Sequence, residues 1–203
     1  MKKVAVTLML SGLTLLGFSQ SEAIQKDRKS QFGFSIGGFQ TLIGPKDTKD
    51  DNIEIKNSSG FRLGILMNHK LGKKLSISPK AELGFSSSSI NYIQEPGISV
   101  SKPLYNTHLE FMSHFVWSSI DLKPNLYVLA GPSIRIPLIK EDEVSITNNY
   151  DAGIDVGIGL NKAFTHFNVM PELRLSAGFM NVFENSTLPK TRYSSISLIL
   201  NFM

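Results

Sequence analysis

The segment 104–118, LYNTHLEFMSHFVWS, shows the cleanest alternation of apolar and polar side chains in the chain. In an extended backbone one face would carry Tyr105, Leu109, Phe111, Phe115 and Trp117, and the other Asn106, His108, Glu110 and His114. Successive side chains of a β-strand point to opposite sides. This pattern therefore predicts a strand that lies between an apolar and a polar medium.

Seven further segments repeat the period of two, namely 32–43, 61–71, 75–86, 125–138, 152–161, 166–179 and 192–203. The connections alternate in length: 44–60, 87–103, 139–151 and 180–191 are long, whereas 72–74, 119–124 and 162–165 are short. Outer-membrane barrels place long loops outside the cell and short turns in the periplasm. The sequence therefore predicts an all-β fold, an eight-stranded antiparallel up-and-down transmembrane β-barrel.

The first 23 residues have the composition of a cleaved secretory signal peptide. Lys2 and Lys3 precede an apolar stretch over 4–18, and small residues lead to Ala23, with Ser19 as a second possible cleavage point. The alternative, an N-terminal membrane anchor, would need about 20 apolar residues. We expect residues 24–203 to form one barrel domain in the outer membrane of a Gram-negative bacterium.

Composition excludes several functions. The chain has 21 Lys and Arg against 17 Asp and Glu, mixed along its length, which does not resemble a nucleic-acid-binding stripe. It has no cysteine, so disulfides and thiol chemistry are excluded.

The direction of the polar face distinguishes two kinds of barrel. A soluble lipocalin-like barrel would turn its apolar face inward around a ligand, whereas a membrane barrel turns it toward lipid. The polar face carries charges of opposite sign in near balance: Arg62, Lys70, Lys80, Arg135 and Arg174 against Glu82, Glu110, Asp155 and Glu172. Glycines are concentrated on the same face, and Phe202 lies next to the end of the last strand. These features favour the membrane barrel.

The inward polar residues are expected to form a structural network that fills the lumen. An eight-stranded barrel is just wide enough for its side chains, and buried charges are tolerated when they are paired. The predicted network consists of Arg62, Lys80, Glu82, His108, Glu110, His114, Arg135, Asp155, Glu172 and Arg174. We therefore expect a filled lumen and not an open pore.

Three prolines, Pro79, Pro132 and Pro171, fall inside predicted strands. Proline lacks the backbone N–H of a ladder hydrogen bond, and a closed barrel has no free edge on which to place it. We expect bulges or local fraying at these positions.

Possible reactive groups lie on the fourth segment. His108, Glu110 and His114 share a face, which would suit a metal or an acid–base pair, but spacing fixes no third ligand. A hydrogen-bonded network with Lys80, Glu82 or Arg135 is favoured instead. A barrel hydrolase would need a Ser–His pair at the membrane edge. Ser113 and His114 are adjacent, so their side chains point to opposite faces of the strand, and His166 lies in a short turn. The sequence predicts no catalytic, cofactor-binding or metal site; an enzyme acting on lipid or peptide is the alternative.

Four stretches resemble the PorT-like outer-membrane β-barrel family. Residues 126–132 resemble its Tyr-x-x-Ala-Gly-Pro strand, and 109–111 its Leu-Glu-Ile-Pro strand, with Met112 in place of the proline. Residues 151–159 resemble its Asp-x-Gly…Gly-x-Gly strand, and 176–181 the strand end before its last loop.

The resemblance implies an eight-stranded outer-membrane barrel and no reaction. The founding member of the family is linked to protein secretion across the outer membrane. The expected function is a small non-enzymatic barrel with an envelope-structural or interaction role, exerted through its external loops or through secretion-associated partners. Expected partners are outer-membrane lipid, the barrel-assembly machinery during biogenesis, and envelope or secretion proteins, with no nucleic acid and no cofactor.

Overall fold

The computed structural model describes residues 29–45, 53–95, 98–103, 106–119, 125–138, 148–182 and 191–203. The strands within them are β1 (Ser30–Thr41), β2 (Gly44–Pro45), β3 (Ile53–Lys56), β4 (Ser59–Lys70), β5 (Leu75–Phe85), β6 (Ser89–Glu95), β7 (Ile98–Pro103), β8 (Thr107–Ser118), β9 (Asn125–Pro137), β10 (Asp151–Ala163), β11 (Asn168–Gly178), β12 (Thr191–Arg192) and β13 (Ser194–Phe202). The predicted signal peptide lies outside the described residues. No helix in the described part of the chain is long and apolar enough to span a membrane.

Eight of these strands close into a barrel in the order β1-β13-β11-β10-β9-β8-β5-β4. Every neighbouring pair is antiparallel, and β1 closes the ring by pairing with both β13 and β4. Chain neighbours are also barrel neighbours, as expected when hairpins follow one another. The predicted eight-stranded antiparallel barrel is confirmed.

The barrel is apolar outside and polar inside. On β8, Phe111 is 47% exposed, whereas the adjacent Glu110 is 1% exposed. The same alternation runs around the wall, so the outer surface forms a continuous apolar belt. Such a belt is unfavourable in water but suits a lipid bilayer. The soluble lipocalin-like alternative, which needs an apolar interior, is wrong.

Stacked aromatic pairs lie near both ends of the belt. Phe34 and Phe202 have ring centroids 4.9 Å apart toward the short-turn end, where the Phe164 and Phe167 rings are 5.1 Å apart. Toward the other end, the Phe61 and Phe85 rings are 4.8 Å apart. Aromatic girdles at both interfaces are typical of membrane barrels.

The described parts of the long connections contain short strands that were not predicted. β3, from the first long connection, pairs with β6 from the second, and β6 pairs with β7 to form a three-stranded sheet. β2 and β12 pair across the first and fourth long connections. The sequence did not predict these short strands because they have no long alternating pattern of their own. Pairing between different connections stabilises them.

Several predicted strand bounds also need correction. The fourth predicted strand begins at Thr107 and not at residue 104, and the sixth extends to Ala163. The last predicted strand is divided into β12 and β13. The turn between β10 and β11 is closed by the Phe164 N–H, which donates to the Phe167 carbonyl at 2.8 Å. Backbone pairing decides these ends, whereas side-chain alternation decides the strand interiors.

The three prolines cause gaps in pairing but no bulges. Across Pro79, pairing between β4 and β5 stops after Leu66–Lys80 and resumes at His69–Ile77 in the same register. Pro132 likewise interrupts β8–β9, and Pro171 interrupts β10–β11, again without a register change. Each proline pairs normally with the strand on its other side. Of the expected bulges or local fraying, the bulges are wrong and the local interruption of pairing is confirmed. The register is kept because the missing N–H affects one neighbouring strand only.

Candidate functional site in the barrel core

The alternating wall directs the ten predicted core residues into the lumen. None of them is more than 6% exposed: Arg62, Lys80, Glu82, His108, Glu110, His114, Arg135, Asp155, Glu172 and Arg174. They come from six strands, β4, β5, β8, β9, β10 and β11. The core is therefore assembled from most of the barrel circumference.

The outer part of this core is an alternating row of charges that begins at the external mouth. Arg135 donates to Asp151 at 3.0 Å and to Glu110 at 2.6 Å. Glu110 also accepts a hydrogen bond from Arg62 at 3.1 Å. Arg62 in turn donates to Glu82 at 3.0 Å.

The row continues toward the short-turn end. Arg174 donates to both carboxylate oxygens of Glu82, each at 3.1 Å, and to Glu172 at 2.7 Å. Lys80 donates to Glu172 at 2.8 Å and 3.1 Å. The Tyr127 hydroxyl at 3.1 Å and the Asn201 amide at 3.2 Å also donate to Glu172. Glu172 therefore accepts hydrogen bonds from four side chains.

Together these residues form one continuous ion-pair row of eight alternating charges. In order they are Asp151, Arg135, Glu110, Arg62, Glu82, Arg174, Glu172 and Lys80. Four cations balance four carboxylates, and every charge inside the row touches two of opposite sign. Removing charges from water is costly unless such pairing compensates for it.

A second group lies beside the row. His114 Nε2 is 2.9 Å from Asp155 Oδ2, and the Ser133 hydroxyl donates to Asp155 Oδ1 at 3.1 Å. His108 instead packs edge-on against the rings of Phe39 and Tyr193, with centroids 5.8 Å and 6.2 Å apart. The His108, Glu110 and His114 side chains thus have three different surroundings. Among the described residues, no group of three or more His, Cys, Asp or Glu side chains could hold a metal.

Two arginines also stack on aromatic rings. The Arg62 guanidinium lies 4.6 Å from the Phe39 ring centroid, and that of Arg135 lies 3.8 Å from the Tyr193 ring centroid. Cation–π contacts of this kind strengthen when water is excluded. Phe39 on β1 and Tyr193, which directly precedes β13, therefore cover the side of the row that faces these two strands. Neither strand supplies a charge to the row.

One predicted inward charge is misplaced, and three participants were missing from the predicted network. Lys70 is exposed, because β4 ends there and its side chain leaves the lumen. Asp151, Tyr127 and Asn201 are buried and bonded to the row. Asp151 and Asp155 are four residues apart and therefore point to the same face of the strand. Extending the sixth predicted strand by one residue would have placed Asp151 in the lumen.

Toward the short-turn end the lumen contains a small apolar cluster. Val116, Tyr127, Leu129 and Met170 form a buried cluster against which Met203 packs. The cavity beside this cluster measures about 10 Å³, which is about the space of one water molecule. A Cβ atom at Gly159 would overlap the Tyr127 ring, so glycine makes room for this aromatic side chain. Side chains therefore occupy the lumen below the ion-pair row.

Above the row, hydroxyl groups join the first two long connections. Thr41 Oγ1 donates to the Ser58 carbonyl at 3.0 Å and lies 2.8 Å from Ser88 Oγ, and Ser88 Oγ lies 3.1 Å from Ser58 Oγ. The Asn57 side chain accepts from the Ile43 N–H at 2.6 Å and donates to the Ile43 carbonyl at 3.0 Å. These contacts fix where both connections leave the wall.

The third and fourth long connections are joined by hydrogen bonds of backbone and side-chain amide groups. The Asn148 N–H donates to the Val182 carbonyl at 2.9 Å, and the Val182 N–H donates to the Thr191 carbonyl at 2.7 Å. The Asn181 side chain accepts from the Thr191 N–H at 2.8 Å. With β2–β12 and β3–β6–β7, these bonds connect the described residues of all four long connections into one structure, which we call the external cap.

Comparison with known proteins supports the fold. No family model and no curated protein matches the chain. Neisserial surface protein A (NspA) is 11% identical, with a TM-score of 0.50, covering 86% of this chain and 98% of that one. The outer membrane protein OprG from Pseudomonas aeruginosa is 12% identical, with a TM-score of 0.48 and coverages of 84% and 93%. Ail of Yersinia pestis is 14% identical, with a TM-score of 0.43 and coverages of 86% and 99%. The likeness to NspA supports the eight-stranded outer-membrane barrel fold of this chain.

Proposed function

We propose that this protein is a non-conducting, non-enzymatic outer-membrane barrel that binds an envelope or extracellular macromolecule through its external cap. The observation that carries the proposal is the connection of all four long loops by hydrogen bonds and strand pairing. A surface that is already ordered loses less conformational entropy on binding than separate flexible loops do. The barrel then acts as a membrane anchor that presents this surface.

The core supports the non-conducting part of the proposal. Arg174 on β11 reaches Glu82 on β5, and Lys80 on β5 reaches Glu172 on β11. These two strands are four places apart in the ring of eight and therefore face each other. Two ion pairs thus span the lumen, and the apolar cluster lies below them. An ion would have to separate these pairs in order to pass.

The arrangement of histidines favours a structural role over hydrolysis. His114 is fully buried, and its Nε2 lies beside Asp155, while Ser113 lies on the other side of the same strand. A nucleophile needs its base within hydrogen-bonding reach. If the core is structural, His108→Ala, Glu110→Ala and His114→Ala will change stability without abolishing binding by the cap.

A PorT-type role in secretion is the second candidate, supported by the resembling stretches of sequence. In the structure, Gly153, Gly157 and Gly159 of this resemblance face the lumen, and a Cβ at each would come within 3 Å of a neighbouring strand. These glycines are therefore explained by close packing. The secretion hypothesis instead requires partners at the short-turn end.

Cross-linking at the two ends separates the two candidates. A photo-reactive amino acid is placed in the β6–β7 hairpin in one variant and in the 72–74 turn in another, in cells of the native host. The proposed function predicts adducts from the hairpin that an excess of unlabelled protein suppresses, whereas an excess of unlabelled protein with 89–103 replaced by a short Gly-Ser linker does not suppress them. Adducts with envelope proteins from the 72–74 turn alone would support secretion and overturn a cap-centred role. Stable current steps from the purified protein in planar bilayers would overturn the non-conducting part.

A further inference from the structure

The lipid-facing wall contains an apolar groove that the proposed function does not use. It measures about 330 Å³ and lies across β9, β10, β11 and β13. Its apolar lining consists of Leu126, Ile158, Leu160, Pro171, Leu173 and Leu198. All six side chains belong to the outward face of their strands, so the groove opens toward the bilayer and not toward the lumen.

The groove coincides with the interruption in the wall at Pro171. Pairing between β10 and β11 stops after Gly159–Glu172 and resumes at Lys162–Val169. Gly159 contributes only its backbone to this region, since its Cβ position faces the lumen, and the compact ring of Pro171 stands between the longer outward side chains of Leu160 and Leu173. The surface is therefore recessed where the ladder is interrupted.

A cation lies at the short-turn end of the groove. Lys162 follows Leu160 by two residues and shares its outward face, about 7 Å further along the strand. Its ammonium group lies 5.2 Å from the centroid of the Phe164 ring, which is stacked on Phe167. Aromatic residues of this kind mark the membrane interface, so Lys162 lies at the depth of lipid headgroups.

We propose that the groove binds one phospholipid with an anionic headgroup, its acyl chain along Leu160, Pro171 and Leu173 and its phosphate group at Lys162. Short turns face the periplasm in barrels of this type, which places the site in the inner leaflet, where phospholipids reside. The recessed apolar wall contacts the acyl chain of the lipid, and the lysine at its end favours a negatively charged headgroup. A juxtamembrane lysine contributes about 1 kcal/mol toward anionic lipid, which corresponds to about a fivefold preference.

Fluorescence quenching by brominated lipids tests this site in the intact protein. Trp117 is the only tryptophan, so Trp117→Phe provides a background without fluorescence from tryptophan. Leu200→Trp then places a reporter opposite Pro171 on β13, and Ile65→Trp places one on the far wall. Each protein is reconstituted in mixtures of brominated phosphatidylglycerol or phosphatidylcholine with unbrominated lipid.

The expected result is about fivefold preferential quenching by phosphatidylglycerol at Leu200→Trp and equal quenching by both lipids at Ile65→Trp. Lys162→Ala should remove the preference, whereas Lys74→Ala, in a turn on the far side, should leave it unchanged. Ile158→Phe, which fills the groove, should reduce quenching by both lipids at Leu200→Trp. Equal quenching at both reporters, or a preference that survives Lys162→Ala, would overturn the proposal. A heat-modifiable shift in electrophoresis confirms that each variant is folded.

Discussion

Arg174 and Glu82 face each other across the full width of the barrel and are joined by two parallel hydrogen bonds of 3.1 Å. Their strands, β11 and β5, are separated by three strands on either side of the ring. Arginine and carboxylate match in this two-bond geometry, which fixes direction as well as distance. The pair therefore sets the spacing of opposite walls in the middle of the lumen.

Removing the charge of Glu82 should destabilise the barrel strongly. In Glu82→Gln, both Arg62 and Arg174 lose a carboxylate partner while remaining buried. Breaking a buried pair on one side typically costs about 3–5 kcal/mol. The measurement is urea unfolding in lipid vesicles, followed by Trp117 fluorescence.

Lys70→Gln is the matched control for this measurement. Lys70 lies on the same inward parity of β4 as Arg62, but it is exposed at the strand end. Its change should stay within about 0.5 kcal/mol. If Glu82→Gln were as mild as this control, the ion-pair row would not contribute to stability as described.

Two obstructions close the lumen, so opening it should require removal of both. Arg174→Ala together with Lys80→Ala removes both cross-lumen ion pairs, and Tyr127→Ala removes the largest member of the apolar cluster. The Arg174→Ala/Lys80→Ala variant and the Tyr127→Ala variant should each remain silent in planar bilayers, because the other obstruction persists. The variant with all three substitutions should give current steps. Steps in the Arg174→Ala/Lys80→Ala variant would show that the apolar cluster does not block ions.

The fold was predictable from the sequence because the lipid boundary imposes a strict period of two on every wall strand. Phe111 beside Glu110 illustrates how one residue step reverses the environment. The partners in the core were less predictable, since parity gives the face of a residue but not its depth. Asp151 was omitted and Lys70 was included because each lies at a strand end. At a strand end, the distance of a side chain from the mouth of the barrel decides whether it is buried. The external cap depends on pairing between distant loops, which no local pattern encodes.

Glycine at position 84 should be required by the core. A Cβ atom there would overlap the His108 ring, which is fully buried and packed against Phe39 and Tyr193. Gly84→Ala should therefore destabilise the barrel by about 1–3 kcal/mol, the usual range for overpacking. Gly38→Ala is the control, because its Cβ would point to lipid with the nearest atom 3.7 Å away. Equal stability of the two variants in urea unfolding would contradict the packing described.

Loss of the Thr41 hydroxyl should loosen the external cap while leaving the barrel wall intact. Thr41 Oγ1 donates to the Ser58 carbonyl, accepts from the Ser58 N–H at 2.8 Å and lies beside Ser88 Oγ. Thr41→Val keeps the shape but takes the hydroxyl partner from the half-buried Ser58 N–H, while the Ser58 carbonyl keeps the Thr41 N–H and Ser88 Oγ keeps Ser58 Oγ, at a cost of about 1 kcal/mol. Hydrogen exchange should accelerate at Ser58 and in β3 and β6, with unchanged protection in β9 and β10. Ser59→Ala, whose exposed hydroxyl bonds only to the Gln40 side chain among the described contacts, should leave the cap unchanged. If exchange instead rises equally in the cap and the wall, the hydroxyl group stabilises the whole barrel and the cap is not a separable unit.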